Sequence, residues 1–155
     1  VDELKQCGVN TIIVQYESVE NWIEVVKEVR KSGLRAGLGI LPYSKASDSK
    51  LLHDIVRHGD VLDLIITNTV GPAYSGQPFD ARGLENLKTI RKLLDENELD
   101  IELAVDGSVS KERFTTMYEL GARHFVCGTA CIFKTDSKPA QLLADFIDYI
   151  DGSSC

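Results

Sequence analysis

Four stretches of the chain obey one grammar: a charged amphipathic segment, then glycine, then a short β-branched run. They are "LKQCGVNTIIV", "VRKSGLRAGLGI", "VRHGDVLDLIIT" and "YELGARHFVCGT", and a fifth, "LLDENELDIELAVDG", puts an Asn97-centred turn where the glycine would be. The glycines Gly8, Gly33, Gly59 and Gly121 stand where a helix that has just ended needs a residue with positive φ. The runs that follow are too short for helices and rich in Ile, Val and Leu, as buried parallel strands are. Strands are expected near 11–15, 35–41, 62–67, 101–105 and 124–128.

The segments between them carry helical spacing. Trp22, Val25, Val26 and Val29 fall on one face, with Ser18 as N-cap. Leu84, Leu87, Ile90, Leu93 and Leu94 do the same, and so do Leu142, Leu143, Phe146, Ile147 and Ile150 behind Pro139. These stripes read as core faces. Strand–helix alternation of this kind means parallel α/β architecture. The stretch before Thr11 reads as the tail of a helix whose own strand is missing. A closed (β/α)8 barrel takes about 200 residues or more, so 155 residues with five βα units read as an incomplete TIM-type barrel. One α/β domain is expected over 1–151, with a disordered tail at 152–155. Starting at Val1 rather than Met, the chain is expected to lack residues that once preceded it.

Composition narrows the function. The net charge of −7, from 24 acidic and 17 basic side chains, argues against nucleic acid, which demands a basic stripe. A small phosphorylated ligand stays open, because backbone N–H groups hold one phosphate without lysine. No apolar run approaches the roughly 20 residues that span a bilayer, and no leader is visible. A cytoplasmic protein without membrane partners is expected. Of the four cysteines, Cys7 and Cys127 read as small core residues, and the Cys127/Cys131 pair reads as structural thiols rather than a metal site or disulfide.

Parallel α/β proteins bind ligands beyond the C-terminal ends of their strands. Three successive strand ends here are small and glycine-bearing: "NTVGPAYSGQPF", "DGSVS" and "GTACIF". Gly76, Gly107 with Ser108, and Gly128 with Thr129 are placed to aim backbone N–H groups at one anion. Asp106 ends its strand on the parity of Glu102 and Ala104. On spacing alone it equally meets a ligand's reacting end or caps the next helix.

"TVGPAYSGQPF", "AVDGS" and "GARHFVCGTACIF" resemble the late-strand motifs of ribulose-phosphate 3-epimerases, which run roughly TVNPGFGGQ-F, VDGG and GA-(four residues)-GSAIF. The GQPF, VDGS and GT variants lean toward the allulose-6-phosphate 3-epimerase branch. "AGLGILPYS" is similar to the family's GVALNPATP, and "GVNTIIVQYES" to its GAD-ITVHxEA. The resemblance is collinear over about residues 3–150. It implies a metal-assisted 1,1-proton transfer at C3 of a ketose phosphate such as ribulose 5-phosphate or xylulose 5-phosphate, in carbohydrate metabolism. A divalent ion, zinc or iron(II), would stabilise the enediolate. Asp106 matches the family's late aspartate, both metal ligand and acid/base. Gly107, Ser108, Gly128 and Thr129 match its phosphate-gripping loops, and Ser75 and Gly76 the lid-like loop before them.

The departures are as informative. The family's HxDxMDG and HLM motifs, which carry its other metal ligands and second acid, do not occur in this chain. Gln15 stands where the family has His, Leu41 where it has Asn, Asn68 where it has Met, and Gly71 and Ala73 where it has Asn/Asp and Gly. His53, His58 and His124 sit on a helix, its end and the opposite end of a strand. One acid does not complete a two-base inversion, and one carboxylate does not hold a catalytic metal. Two functions remain open: an epimerase when the full barrel is present, or an inactive truncated or diverged paralogue that keeps a phosphate site. An opened barrel also exposes apolar strand edges near 11–15 and 124–128, so a homo-oligomer is expected.

Overall fold

The computed structural model describes residues 1–44, 48–72, 74, 76–134 and 138–153. Five parallel strands, β1 (Thr11–Gln15), β2 (Arg35–Ile40), β3 (Leu64–Asn68), β4 (Glu102–Asp106) and β5 (His124–Val126), pair in simple sequence order. Six α-helices accompany them: α1 (Asp2–Gln6), α2 (Trp22–Lys31), α3 (Ser49–His58), α4 (Arg82–Glu96), α5 (Lys111–Glu119) and α6 (Pro139–Ser153). This is the α/β pattern expected, consistent with part of a TIM-type barrel. Successive right-handed crossovers that always step the same way bring the helices to one face of the sheet.

Register decides which side chains share that face. Ile13 pairs with Gly37, Gly37 with Leu64, Ile66 with Ala104, and Asn68 with Asp106, which in turn pairs with Val126. The alternate residues Val14, Leu38, Ile40, Ile65, Leu103 and Val105 are buried in a single cluster with Val26, Val29, Leu51, Ile55, Leu87, Ile90, Leu94, Phe114, Met117 and Phe146 from the helices. The other face is built from Ile13, Gly37, Gly39, Ile66, Ala104 and Val126. It is buried in the middle of the sheet and open at its edges, where Ile13 is 43% and Val126 47% exposed. Asp106 belongs to that second face.

Local chemistry sets most boundaries. The Asp48 carboxylate accepts from the Lys50 N–H and starts α3. Helix α2 begins at Asn21, whose side chain accepts from the Glu24 N–H, and not at Ser18. Ser18 lies in a short 3-10 turn, Tyr16–Ser18, which the Glu17 carboxylate anchors by accepting the Leu41 N–H at 2.9 Å. Gly8, Gly33 and Gly121 have the expected positive φ, but Gly59 has φ −61°. Gly59 is closely packed instead: a Cβ there would sit 3.1 Å from the end of the Leu99 side chain, which would have to give way. In the fifth unit the left-handed residue is Glu98, φ 53°, one place beyond Asn97.

Four apolar assignments change. Cys7 is exposed rather than in the core, because α1 buries none of its residues. Val25 on α2, and Leu143 and Ile147 on α6, face outward; α6 turns Phe146, Tyr149 and Ile150 inward instead. Cys127 is half-buried and Cys131 buried. Among the described residues no helix is long and apolar enough to cross a membrane.

Candidate functional site

The site is assembled where β3, β4 and β5 end. Thr69, fully buried, is the fastener between the first two ends. Its N–H donates to the Asp106 carbonyl at 2.8 Å, and its hydroxyl donates to the Gly107 carbonyl. Helix α4 starts directly behind it: a Cβ on Gly83 would lie 2.2 Å from the Asn68 carbonyl oxygen, so only glycine allows the helix this close. Gly107 has φ 102°, and its missing side chain is replaced by Val70, which would lie 2.5 Å from a Cβ. The two loops therefore interlock by a hydrogen bond on one side and a methyl-into-glycine contact on the other.

Asp106 lies between these loops and the open face of the sheet. The N-cap position of helix α5 is Ser110, four residues beyond Asp106, so of the two roles open to Asp106 from spacing, helix capping is excluded. Burial raises its carboxyl above the ordinary 3.8, and the adjacent Gly107 N–H pulls the other way. Its side-chain hydrogen-bond partner is Asn68, directly across the ladder, whose Nδ2 donates to Asp106 Oδ2 at 3.4 Å. The other end of that amide, Asn68 Oδ1, is buried without a hydrogen-bond partner among the described residues. Asn68 is the residue the sequence undervalued. Its place at the end of "DLIITN" was visible as a departure, but its contact with Asp106 needed the β3–β4 register.

Asp106, Gly107, Ser108, Gly128, Thr129 and Gly76 all line one cavity of about 700 Å3. Ser75, predicted beside Gly76, lies outside the described residues. The Gly128 carbonyl accepts from the N–H groups of Cys131, Ile132 and Phe133 at 3.0, 3.0 and 3.2 Å, which curls the 128–133 segment into a tight turn. Among the described residues, the N–H groups of Ser108, Gly128 and Thr129 donate to no backbone carbonyl. Donors left over at strand ends beside a cavity are what a phosphate requires. Behind the turn, burial and the neighbouring Cys131 thiol push Cys127 up to about 12. That keeps it a thiol at neutral pH, in keeping with a structural role.

The metal implied by resemblance was tested against the donors present. Among the described residues no three His, Cys, Asp or Glu side chains gather at one point, whereas a zinc-type site takes three or four such ligands. Asp106 has a neutral amide beside it rather than a second anion. Gln15, in the position of the family histidine, donates to Glu17 at 2.5 Å and lies over Gly39. Glu17 itself is committed to Gln15 and the Leu41 N–H. His124 is at the N-terminal end of β5, bonded to Glu102 at 3.1 Å. Among the described residues the side chains do not fit a catalytic metal, and what the cavity offers is one half-buried acid beside loop N–H groups that donate to no backbone carbonyl.

The model of the ribulose-phosphate 3 epimerase family matches residues 1–133. Among similar proteins, the ribulose-phosphate 3-epimerase of Escherichia coli (strain K12) is 30% identical over 138 residues, covering 89% of this chain and 59% of that protein. The ribulose-phosphate 3-epimerases of Bacillus subtilis (strain 168) and Mycobacterium leprae (strain TN) are each 28% identical, over 87% of this chain and 60% and 58% of theirs. The chain thus spans about three-fifths of the length of these relatives. With the family model covering most of its length and the late-strand loops at one cavity, the chain belongs to the ribulose-phosphate 3-epimerase family.

Proposed function

We propose that this chain is the phosphate-gripping, C-terminal part of an epimerase-type barrel, with Asp106 as one of the two acid/base groups such a reaction uses. The observation that carries the reading is the convergence of Asp106 with the free-donor loops at Ser108 and Gly128–Thr129 around one cavity. The substrate would be a ketose phosphate such as ribulose 5-phosphate. Its phosphate would sit on the loop N–H groups, and its C3 would face Asp106. Inversion at C3 takes a proton from one face of the carbon and returns one to the other. Asp106 serves one face only, so the chain by itself would bind the sugar phosphate and leave it uninverted. A carboxyl raised by burial suits proton transfer better than a fully solvated one, because its pKa lies nearer the working pH.

A second reading, a diverged paralogue that binds phosphate without catalysis in any context, is favoured by a specific pair of contacts. Gln15 and Asn68, at positions where the family has a histidine and a methionine, are both drawn into hydrogen bonds within the chain. One experiment separates the two. Inorganic phosphate and ribulose 5-phosphate are titrated into the chain, followed by amide NMR shifts. Turnover to xylulose 5-phosphate is then assayed for the chain alone and for any longer form with further residues before Val1. Binding by both forms, turnover by the longer one alone and its loss in Asp106→Asn support the first reading. Binding without turnover in either form supports the second. Turnover by the chain alone would overturn both, and absence of any phosphate shift at Ser108, Gly128 or Thr129 would remove the cradle. The unpaired β1 and β5 edges favour association with another copy, and sedimentation as a clean monomer would count against it. A cytoplasmic location accords with a sugar-phosphate substrate.

A further inference from the structure

Arg113, on the first turn of α5, belongs to none of the motifs discussed above. Yet it touches Ser108, which lines the cavity, and Phe79, two residues beyond the lining residue Gln77. Its Nη1 donates to the Ser108 carbonyl at 3.2 Å and reaches the Ser110 hydroxyl at 3.5 Å. Its guanidinium lies over the Phe79 ring, 4.5 Å from the centroid. Ser108 needs such a partner. At φ 48° it is in the left-handed region, which glycine tolerates and other L-residues adopt rarely. Phe79 in turn packs against the core. One residue further on, the Asp80 N–H donates to the Thr69 carbonyl at 2.8 Å. The segment that begins at Val70, over Gly107, is therefore returned to the Asp106–Ser108 loop at its far end.

We propose that Arg113 is a positioning residue for the anion cradle, whose single guanidinium sets the Ser108 turn and anchors Phe79 at once. This rests on reading the cradle as a phosphate site, as above. A planar guanidinium donates in its plane while stacking through its face; an ammonium does one or the other. Arg113 thus ties the peptide that follows Ser108, and through it the Ser108 turn, to the seating of Phe79, across two loops that are separate in sequence.

The test uses Arg113→Lys, with Arg113→Met as the harsher variant, each alone and combined with Ser108→Gly. Hydrogen exchange is first followed without ligand. Arg113→Lys is expected to speed exchange at Ser108–Val109 and at Gln77–Asp80 together, with Leu38–Ile40 unchanged. Acceleration in one segment alone, or in neither, overturns the proposal. Inorganic phosphate is then titrated. Arg113→Lys is expected to weaken it about tenfold. In the Ser108→Gly background the loss should shrink to roughly threefold, because glycine holds the turn unaided and only the Phe79 contact remains to be lost. An equal loss in both backgrounds would mean that Arg113 acts elsewhere. If the parent chain binds no phosphate, the proposed function fails, and the exchange experiment still decides the role of Arg113.

Discussion

The two faces of the sheet are made by the same five strands, alternate residue by alternate residue, and they are built to different standards. On the helix side, Leu38, Ile40, Ile65 and Val105 are wholly buried and touch side chains from successive helices. On the other side, Gly37, Gly39 and Ala104 occupy the centre, and Ile13 and Val126 are left half in water at the edges. The helix side is a finished core, closed by this chain alone. The open side carries the Asp106–Asn68 pair at one end and, at the other, surface contacts in which Glu102 meets Arg35 at 2.5 Å and His124 at 3.1 Å. Burial is therefore concentrated on one face, and the candidate site lies on the other.

Substitutions along the strands measure that difference. The largest effect is expected for Leu38→Ala, which empties a fully buried site and should cost about 2–5 kcal/mol in denaturant melts. A cost below ~1 kcal/mol would mean that the helix face is looser than its burial shows. Next comes Gly83→Ala, where the added methyl would meet the Asn68 carbonyl. About 1–3 kcal/mol is expected, with amide shifts spreading to Thr69 and Asp106. Disturbance confined to α4 would show that the helix does not set the site's geometry.

On the open face the signs change. A carboxyl with a raised folded pKa holds its proton more tightly in the folded chain. Its stabilising contribution is fully present below the ordinary carboxylate value of 3.8 and is lost as pH rises through the raised value. Asp106→Asn should thus stabilise the chain at pH 7, by less than about 1 kcal/mol once solvent screening of its exposed part is allowed for. The gain should fade as pH drops toward 3.8. Destabilisation at pH 7 would show that the ionised carboxylate is held by partners rather than penalised by burial. Smallest of all, Ile13→Ser at the open edge is expected to stay within about 0.5 kcal/mol of the parent. A cost approaching that of Leu38→Ala would reveal that another chain covers this face in solution.

The strands and their order were legible because the signals are local. A glycine with positive φ ends a helix whatever surrounds it, and a β-branched run too short for a helix extends. Where the requirement is tertiary, the same residue type misleads. Gly59 sits at a helix end like Gly33, but its φ is −61° and what distinguishes it is the close packing of Leu99 over it. Ser18 looks like an N-cap, but Glu17 is tied to the next strand's loop and the helix starts at Asn21. The α6 stripe was too wide by Leu143 and Ile147, since periodicity shows which residues share a side but not how far the neighbouring surface reaches.

For the site, the sequence by itself determined which loops end the late strands and which residue types they carry, because small residues and an acid at strand ends are properties of the chain's own order. Their resemblance to one family's motifs was legible for the same reason. Only the tertiary structure decided that Asp106 faces the open side instead of capping α5. It also decided that Asn68 is its partner, and that Arg113 joins Ser108 to Phe79. Each of these depends on strand register and helix placement, which bring together residues separated by up to 38 positions. No local propensity encodes that distance; the shared core beneath the sheet does.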